Sequence, residues 1–415
     1  MSFTKSLLLG SAAVLATVVG AQAADLPSKK AAPATYVDAR TPTSMGVART
    51  FVRLRGANTS GIRNTTITNN TAYTQSDAST TGLSIESAMV QWAGFTFGVG
   101  PDNYAFMPAP IYGGTAWAGF PNGIKQIAYT ATLGGGWSAT LAIEDRKDWG
   151  YDLTYSDRVQ TAANVVANIR LDQAWGFAIL HGLVGNNSLR SDYASFSQTV
   201  GSFDAVTGLP KTTTNTLASS ILSLNSPYDA KVGQSTFNSW AIGATVSYKL
   251  PMIAAGDQIW ITANYAHGAI GALLGGSGLN NISTAAQHRL LGGVIRVDSN
   301  LVATSATTVG STNGWNVGGI FTHYWAAQWR SNFSAGYVEL SPPTSTVTSW
   351  GKGKLYDLTG SIIYSPVKDM DIGLELQYAS LKNKIQNPTA TFVAAGSPGL
   401  SVNNISTKLR IERAF

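Results

Sequence analysis

Cysteine is absent from this 415-residue chain, so neither disulfides nor thiolate chemistry can contribute. Charge is sparse: 12% of residues are Asp, Glu, Lys or Arg, against about 25% in ordinary soluble domains. The four histidines, His181, His267, His288 and His323, show no metal-ligand spacing. No G-x-S-x-G nucleophile elbow occurs, and glycine runs such as Gly275-Gly276-Ser277-Gly278 lack a strand-to-helix phosphate context. No catalytic residue, metal or cofactor is therefore expected. A spanning helix is also missing. The apolar run Leu7 to Val19 falls short of the required length of about 20 residues. The stretch from Gln258 to Gln287 has no Asp, Glu, Lys or Arg, but Asn264, His267, Asn280, Asn281 and five glycines from Gly268 to Gly278 argue against a membrane helix. Ser283 to Leu291 would suit a short surface helix.

What the chain has in quantity is glycine, at 43 residues, together with 11 Trp and 16 Tyr. Tyr and Trp favour membrane–water interfaces, where a ring can be half wet. Mean hydropathy is close to zero, at +0.04. That is too low for a bundle of membrane helices, but it is the average of an apolar face and a wet one alternating along strands.

The amino terminus reads as an export signal: Lys5, an apolar stretch, then Ala21-Gln22-Ala23, a small-residue cleavage site. Residues 1–23 are expected to be removed, with residues 24–34 a polar Pro/Ala-rich periplasmic leader and residues 35–415 one β-barrel domain. Removal of Lys5 leaves 27 basic and 22 acidic residues, a net charge of +5. This surplus is too diffuse for nucleic acid, and it would bias a pore towards anions.

At the other terminus Ile405, Leu409, Ile411 and Phe415 share one parity, while Asn404, Ser406, Lys408, Arg410 and Glu412 share the other. Side chains two apart point to one face of a strand, so one face is apolar and the other charged. Bacterial outer-membrane barrels usually end on such a strand with a terminal aromatic, which makes Phe415 the candidate assembly signal for the barrel-assembly machinery. Arg413 interrupts the apolar row where a membrane interface tolerates it.

The same alternation predicts fifteen strands, at 35–41, 47–57, 82–93, 94–100, 125–134, 136–145, 162–171, 175–184, 238–250, 257–267, 314–325, 328–340, 354–364, 371–382 and 403–415. Within 82–93 the phase is ambiguous and Glu86 is unassigned. Short connections such as Gly134-Gly135 and Asp172-Gln173-Ala174 alternate with long ones at 58–81, 101–124, 185–237 and 268–313. Short periplasmic turns and long outer loops are the layout of an outer-membrane barrel. The expected fold is thus all-β, a transmembrane antiparallel barrel of about sixteen strands.

Several segments resemble the alphaproteobacterial general porins, in collinear order. They include Asp38-Ala39-Arg40-Thr41-Pro42-Thr43, Val90-Gln91-Trp92-Ala93-Gly94-Phe95, Trp137-Ser138-Ala139-Thr140-Leu141, Asp172-Gln173-Ala174-Trp175-Gly176, Leu250-Pro251-Met252-Ile253-Ala254-Ala255-Gly256-Asp257 and Ser365-Pro366-Val367-Lys368. The resemblance implies a sixteen-stranded, homotrimeric barrel for passive diffusion of small hydrophilic solutes and ions, with one long loop folded inward to narrow the lumen. It departs from the family where Tyr36-Val37 runs almost directly into Asp38-Ala39-Arg40. The cysteine-containing segment and first strand usual in the family are missing there. An odd strand count leaves three outcomes: the leader pairs as a sixteenth strand, the first predicted strand drops out, or the barrel is defective.

Candidate pore-lining residues follow from strand parity. Arg49, Arg53 and Arg55 share a face opposite Val52 and Leu54, with Arg170, Lys408 and Arg410 adding positive charge and Glu144 and Glu375 negative charge. In the loop 101–124, Asp102 is the single acid among prolines and aromatics. The expected function is a general porin of the bacterial outer membrane, not an enzyme, with a mild anion preference. The alternatives are a structural or adhesive barrel and an outer-membrane barrel enzyme.

Overall fold

The computed structural model describes residues 36–68, 72–107, 123–145, 163–190, 200–203, 210–213, 234–274, 301–304, 309–344, 350–385 and 399–413. Its strands are β1 (Tyr36–Thr43), β2 (Gly46–Thr68), β3 (Ala72–Trp92), β4 (Phe95–Gly100), β5 (Ile124–Gly134), β6 (Trp137–Glu144), β7 (Asn164–Gln173) and β8 (Gly176–Arg190), then the short pair β9 (Val200–Phe203) and β10 (Pro210–Thr213). There follow β11 (Gln234–Lys249), β12 (Gln258–His267), a 3-10 turn at Ile270–Ala272, and the short pair β13 (Leu301–Ala303) and β14 (Val309–Ser311). The last five are β15 (Asn313–Ala326), β16 (Trp329–Ser341), β17 (Trp350–Tyr364), β18 (Met370–Ile385) and β19 (Gly399–Arg413).

Apart from the two short pairs, fifteen strands form one antiparallel sheet in the order β1-β2-β3-β4-β5-β6-β7-β8-β11-β12-β15-β16-β17-β18-β19. The fold is all-β, a transmembrane antiparallel barrel, and every one of the fifteen predicted strands has its counterpart. The first predicted strand does not drop out, because β1 pairs with β2 from Tyr36↔Arg53 to Thr43↔Gly46. No described helix is long and apolar enough to cross a membrane, and the uncharged stretch begins with strand β12. The predicted helix 283–291 lies outside the described residues.

Two expectations about loops need correction. The stretch 58–81 is not a long loop: β2 and β3 stay paired as far as Thr68↔Ala72. Its Thr-rich sequence suits extended backbone, since β-branched side chains fit a pleated surface. Likewise β8 runs to Arg190 and β11 starts at Gln234, so the loop expected at 185–237 is shorter.

At the short-turn end, backbone conformation is set by glycine. Ala93 and Gly94 both have positive φ (50° and 84°), the two-residue hairpin whose twist matches that of its strands. At Gly136 (φ 86°) a Cβ would stand 2.1 Å from the Asp172 carbonyl oxygen, so any side chain there would push β6 from β7. Asp257 fastens a longer turn: its carboxylate accepts from the Tyr324 backbone N–H at 2.8 Å and bonds His323 Nδ1 at 2.6 Å.

One face of the sheet is apolar and exposed, with Ile127, Leu141, Leu180, Ile242, Ile261, Leu358 and Leu374 in its middle. Aromatic pairs border this band at both ends. Trp175–Tyr248 (5.8 Å) and Trp329–Tyr364 (4.6 Å) stand at the turn end, with Trp240–Tyr265 (5.4 Å) and Trp315–Tyr337 (5.0 Å) at the loop end. Trp240 and Tyr248 lie eight residues apart on β11, which for a tilted strand is roughly 20 Å along the barrel axis. That is close to the apolar thickness a lipid-facing wall must span. The opposite face carries Thr245, Thr262, Asn316, Asn332, Thr359 and Gln377, and it faces the lumen.

Candidate pore lining

The lumenal face has two differently built regions. On β1 to β3, Arg49 Nε donates to Asp38 at 2.8 Å and Arg49 Nη1 donates to the Gln91 amide oxygen at 3.1 Å. Its guanidinium also lies 5.1 Å from the centre of the Phe51 ring. Arg40 reaches the same Asp38 at 3.1 Å. Arg53, two residues past Phe51 on the same face, is exposed. On β2, Arg49 and Arg53 share the polar face of the sheet, and Val52 pairs with Ala88 on the apolar one. Arg55 pairs with Ser84 in backbone register, and its side chain lies outside the described residues. Glu86 was ambiguous for a structural reason: Arg53 pairs with Ser87 and Leu54 with Ile85, so Glu86 is the extra residue of a β-bulge.

On β5 to β8 the wall is covered. After β4, residues 101–107 fold back across the lumenal face. The Asp102 carboxylate accepts from the backbone N–H groups of Tyr104 (2.8 Å) and Ala105 (2.5 Å), which sets the turn. The turn presents Asn103 to the wall: its backbone N–H and side-chain amide donate to Glu144 at 2.8 and 2.7 Å, and its amide also donates to Gln126 at 2.6 Å. Asn168 returns a bond to the Asn103 carbonyl at 2.9 Å. Tyr104 packs edge-on against His181 at 4.4 Å.

Burial follows. Asp102 is 7% exposed and Glu144 fully buried, so neither carboxylate faces pore water. The two candidates thus anchor the segment to the wall. Burial, then repulsion from Glu144, raises the Asp102 carboxyl well above its usual range. A second fold-back follows β12, where Ile270, Leu273 and Leu274 are buried and the Leu273 carbonyl accepts from Asn316 at 2.7 Å.

A family described as the porin subfamily matches residues 8–402. The chain belongs to this family. The porin is similar to a solved outer membrane channel, DcaP of Acinetobacter baumannii, with 16% identity over 92% of this chain and 84% of that one, at a TM-score of 0.58. It also matches OmpT, an outer membrane protein of Vibrio cholerae, at 11% identity over 91% and 92% of the two chains and a TM-score of 0.40. Salmonella typhi OmpF in complex with daunomycin matches at 11% identity, 93% of each chain and a TM-score of 0.37. No curated protein sequence matches the chain. The protein is a porin of the bacterial outer membrane.

The other charged candidates lie on the polar face of the porin's sheet, most of them in pairs. Arg170 holds Asp172 through two bonds of 2.7 Å and stacks 4.0 Å over Phe177. Arg410 bridges Glu412 at 2.7 Å. Lys408 sits directly opposite Glu375, which is 1% exposed. Ile405, Leu409 and Ile411 are strongly exposed on the lipid side, and Phe415 lies outside the described residues. Among the described residues no group of three or more His, Asp or Glu is placed to hold a metal. Parity alone missed Asn103, Gln126 and Asn168, because their partners come from strands that only the tertiary fold brings under the loop. The one local signal was the Asp102-x-Tyr104 turn.

Proposed function

We propose that this porin is a general diffusion channel, not an enzyme, passing small hydrophilic solutes with a mild preference for anions. The observation that carries the preference is the pairing pattern on the lumenal face. Asp38, Asp172, Asp371 and Glu412 each hold an arginine within 3.1 Å, and Asp102 and Glu144 are covered. Arg53 stands exposed on that face. A unit charge about 10 Å from a passing ion in water contributes roughly 0.4 kcal/mol, so the preference is modest. The reading includes a mature chain starting at Ala24, assembly through Phe415 by the barrel-assembly machinery, and a homotrimer. The Thr- and Asn-rich extension of β2 and β3 gives the adhesive alternative its only support.

Planar bilayers test the proposal. Stepwise conductance is expected, with a reversal potential in a KCl gradient on the anion side. The triple variant Arg49→Ala, Arg53→Ala, Arg55→Ala should move it towards cations at low salt. An unchanged potential would assign these arginines to wall structure alone.

A further inference from the structure

We propose that the lipid-facing wall of β16 to β18 holds one phosphate-bearing lipid of the outer leaflet, its headgroup on a lysine cluster and an acyl chain in the groove below. Lys352 and Lys354 on β17 share the outward face with Tyr356 and Leu358, and Lys382 and Lys384 on β18 share it with Leu376 and Tyr378. All four lie at the end of the long loops, which is the cell exterior in such barrels. Tyr356 borders the apolar band, so the lysines stand one step outside it, at headgroup level.

The cluster is costly without an anion. Lys354 is directly opposite Lys382 across the β17–β18 ladder, and like charges so placed repel. Among the described residues one acid offsets them: Glu339 meets Lys352 at 2.6 Å and Lys354 at 3.7 Å, and accepts from the Tyr337 hydroxyl at 2.9 Å. Four lysines against one carboxylate leave a local surplus of positive charge. Lys382 also lies 6.0 Å from the centre of the Tyr356 ring, which keeps its ammonium beside the band.

Below the lysines, the lipid face carries a groove of about 640 Å³. Small residues at Gly319, Ala335 and Gly360 form its floor, between ridges at Phe321, Phe333 and Leu358. Leu358 and Tyr378, at its upper edge, are each four residues below Lys354 and Lys382 on the same faces, about 13 Å along the strand. Charge above and an apolar trough below match a lipid whose phosphate and chain are joined at that spacing. Inorganic phosphate would use only the upper half.

The test uses the full-length porin in phosphatidylcholine nanodiscs containing a bisphosphorylated acylated glucosamine disaccharide or its dephosphorylated form, with retained lipid counted by native mass spectrometry. The phosphorylated form should be retained at least about tenfold better, since each lysine near an anionic surface contributes about fivefold. Lys352→Gln, Lys354→Gln, Lys382→Gln and Lys384→Gln combined should abolish that preference while leaving conductance unchanged. Gly360→Leu should lower retention of both forms. A Cβ there meets nothing closer than the Phe333 ring at 3.9 Å, so the substitution fills the groove without straining the strand. For the unmodified chain, raising salt to about 1 M should release the phosphorylated lipid, which tests the headgroup contact independently of any variant. Equal retention of the two lipids, a preference that survives the quadruple substitution, or displacement by equimolar inorganic phosphate would overturn the proposal. Loss of the oligomer on Gly360→Leu would make the groove an interface between copies instead.

Discussion

The arginine wall of β1 to β3 and the covered wall of β5 to β8 face one lumen, yet they treat charge in opposite ways. On the first, Asp38 is paired to Arg40 and Arg49 and Arg53 is exposed. On the second, Glu144 is buried beneath a seven-residue segment that contains the buried Asp102, and both carboxylates are held by amides. Cations compensate Asp38 on one wall, and hydrogen-bond donors together with exclusion of water do so for Asp102 and Glu144 on the other. Under the proposed function, the first wall retains a field in the lumen, and the second gives it up to fix the shape of the passage.

The largest effect should come from uncovering the second wall. Tyr104 is 1% exposed and packed on His181, so Tyr104→Ala should cost about 3–5 kcal/mol of local packing, as other buried aromatic truncations do. Urea unfolding in detergent would measure the loss, and single-channel conductance should rise as the segment detaches. Wild-type conductance would mean that residues 101–107 do not narrow the pore.

Asn103→Ala should come next. It removes the two side-chain amide bonds to Glu144 and Gln126, at about 1–3 kcal/mol for the buried acceptors left behind. The same substitution tests the comparison between walls, because a newly wetted Glu144 should shift reversal potential towards cations.

A pH dependence separates the walls further. The Asp102 carboxyl is raised in the folded state by burial and by Glu144. Its contribution to the covered wall is therefore complete below the unfolded carboxylate value of about 3.9 and is lost as pH rises through the folded value. A spin label at Ala105 should become more mobile with rising pH across that window, and Asp102→Asn should flatten the response.

The smallest effect belongs to the arginine wall. Arg53→Ala should change anion-to-cation permeability about twofold at low salt and less at about 1 M, where screening acts within roughly 3 Å. Removing Arg49 together with the acid that holds it, Asp38→Asn with Arg49→Gln, should change it less, because the two substitutions together leave the net charge of the wall unaltered. Equal shifts in the two variants would show that net charge on this wall does not set the preference.

The sequence by itself determined the strands, their parity and the lipid-facing band. Alternation in Trp137 to Glu144 or Ile405 to Ile411 is a local property of a period-two backbone, written residue by residue. It placed Arg49 and Arg53 on one side and Val52 on the other without any knowledge of neighbours. It left Glu86 unassigned because a bulge breaks the period, and it took 58–81 for a loop because a polar hairpin outside the membrane has no apolar row to mark it. Tertiary structure alone decided which acids meet water. Glu144 and Asp102 are 42 residues apart in sequence, and their burial depends on a segment crossing four strands that later parts of the chain supply. It also decided that Lys354 and Lys382 would stand side by side above one groove, since register across a ladder is set by the whole sheet and by no single strand.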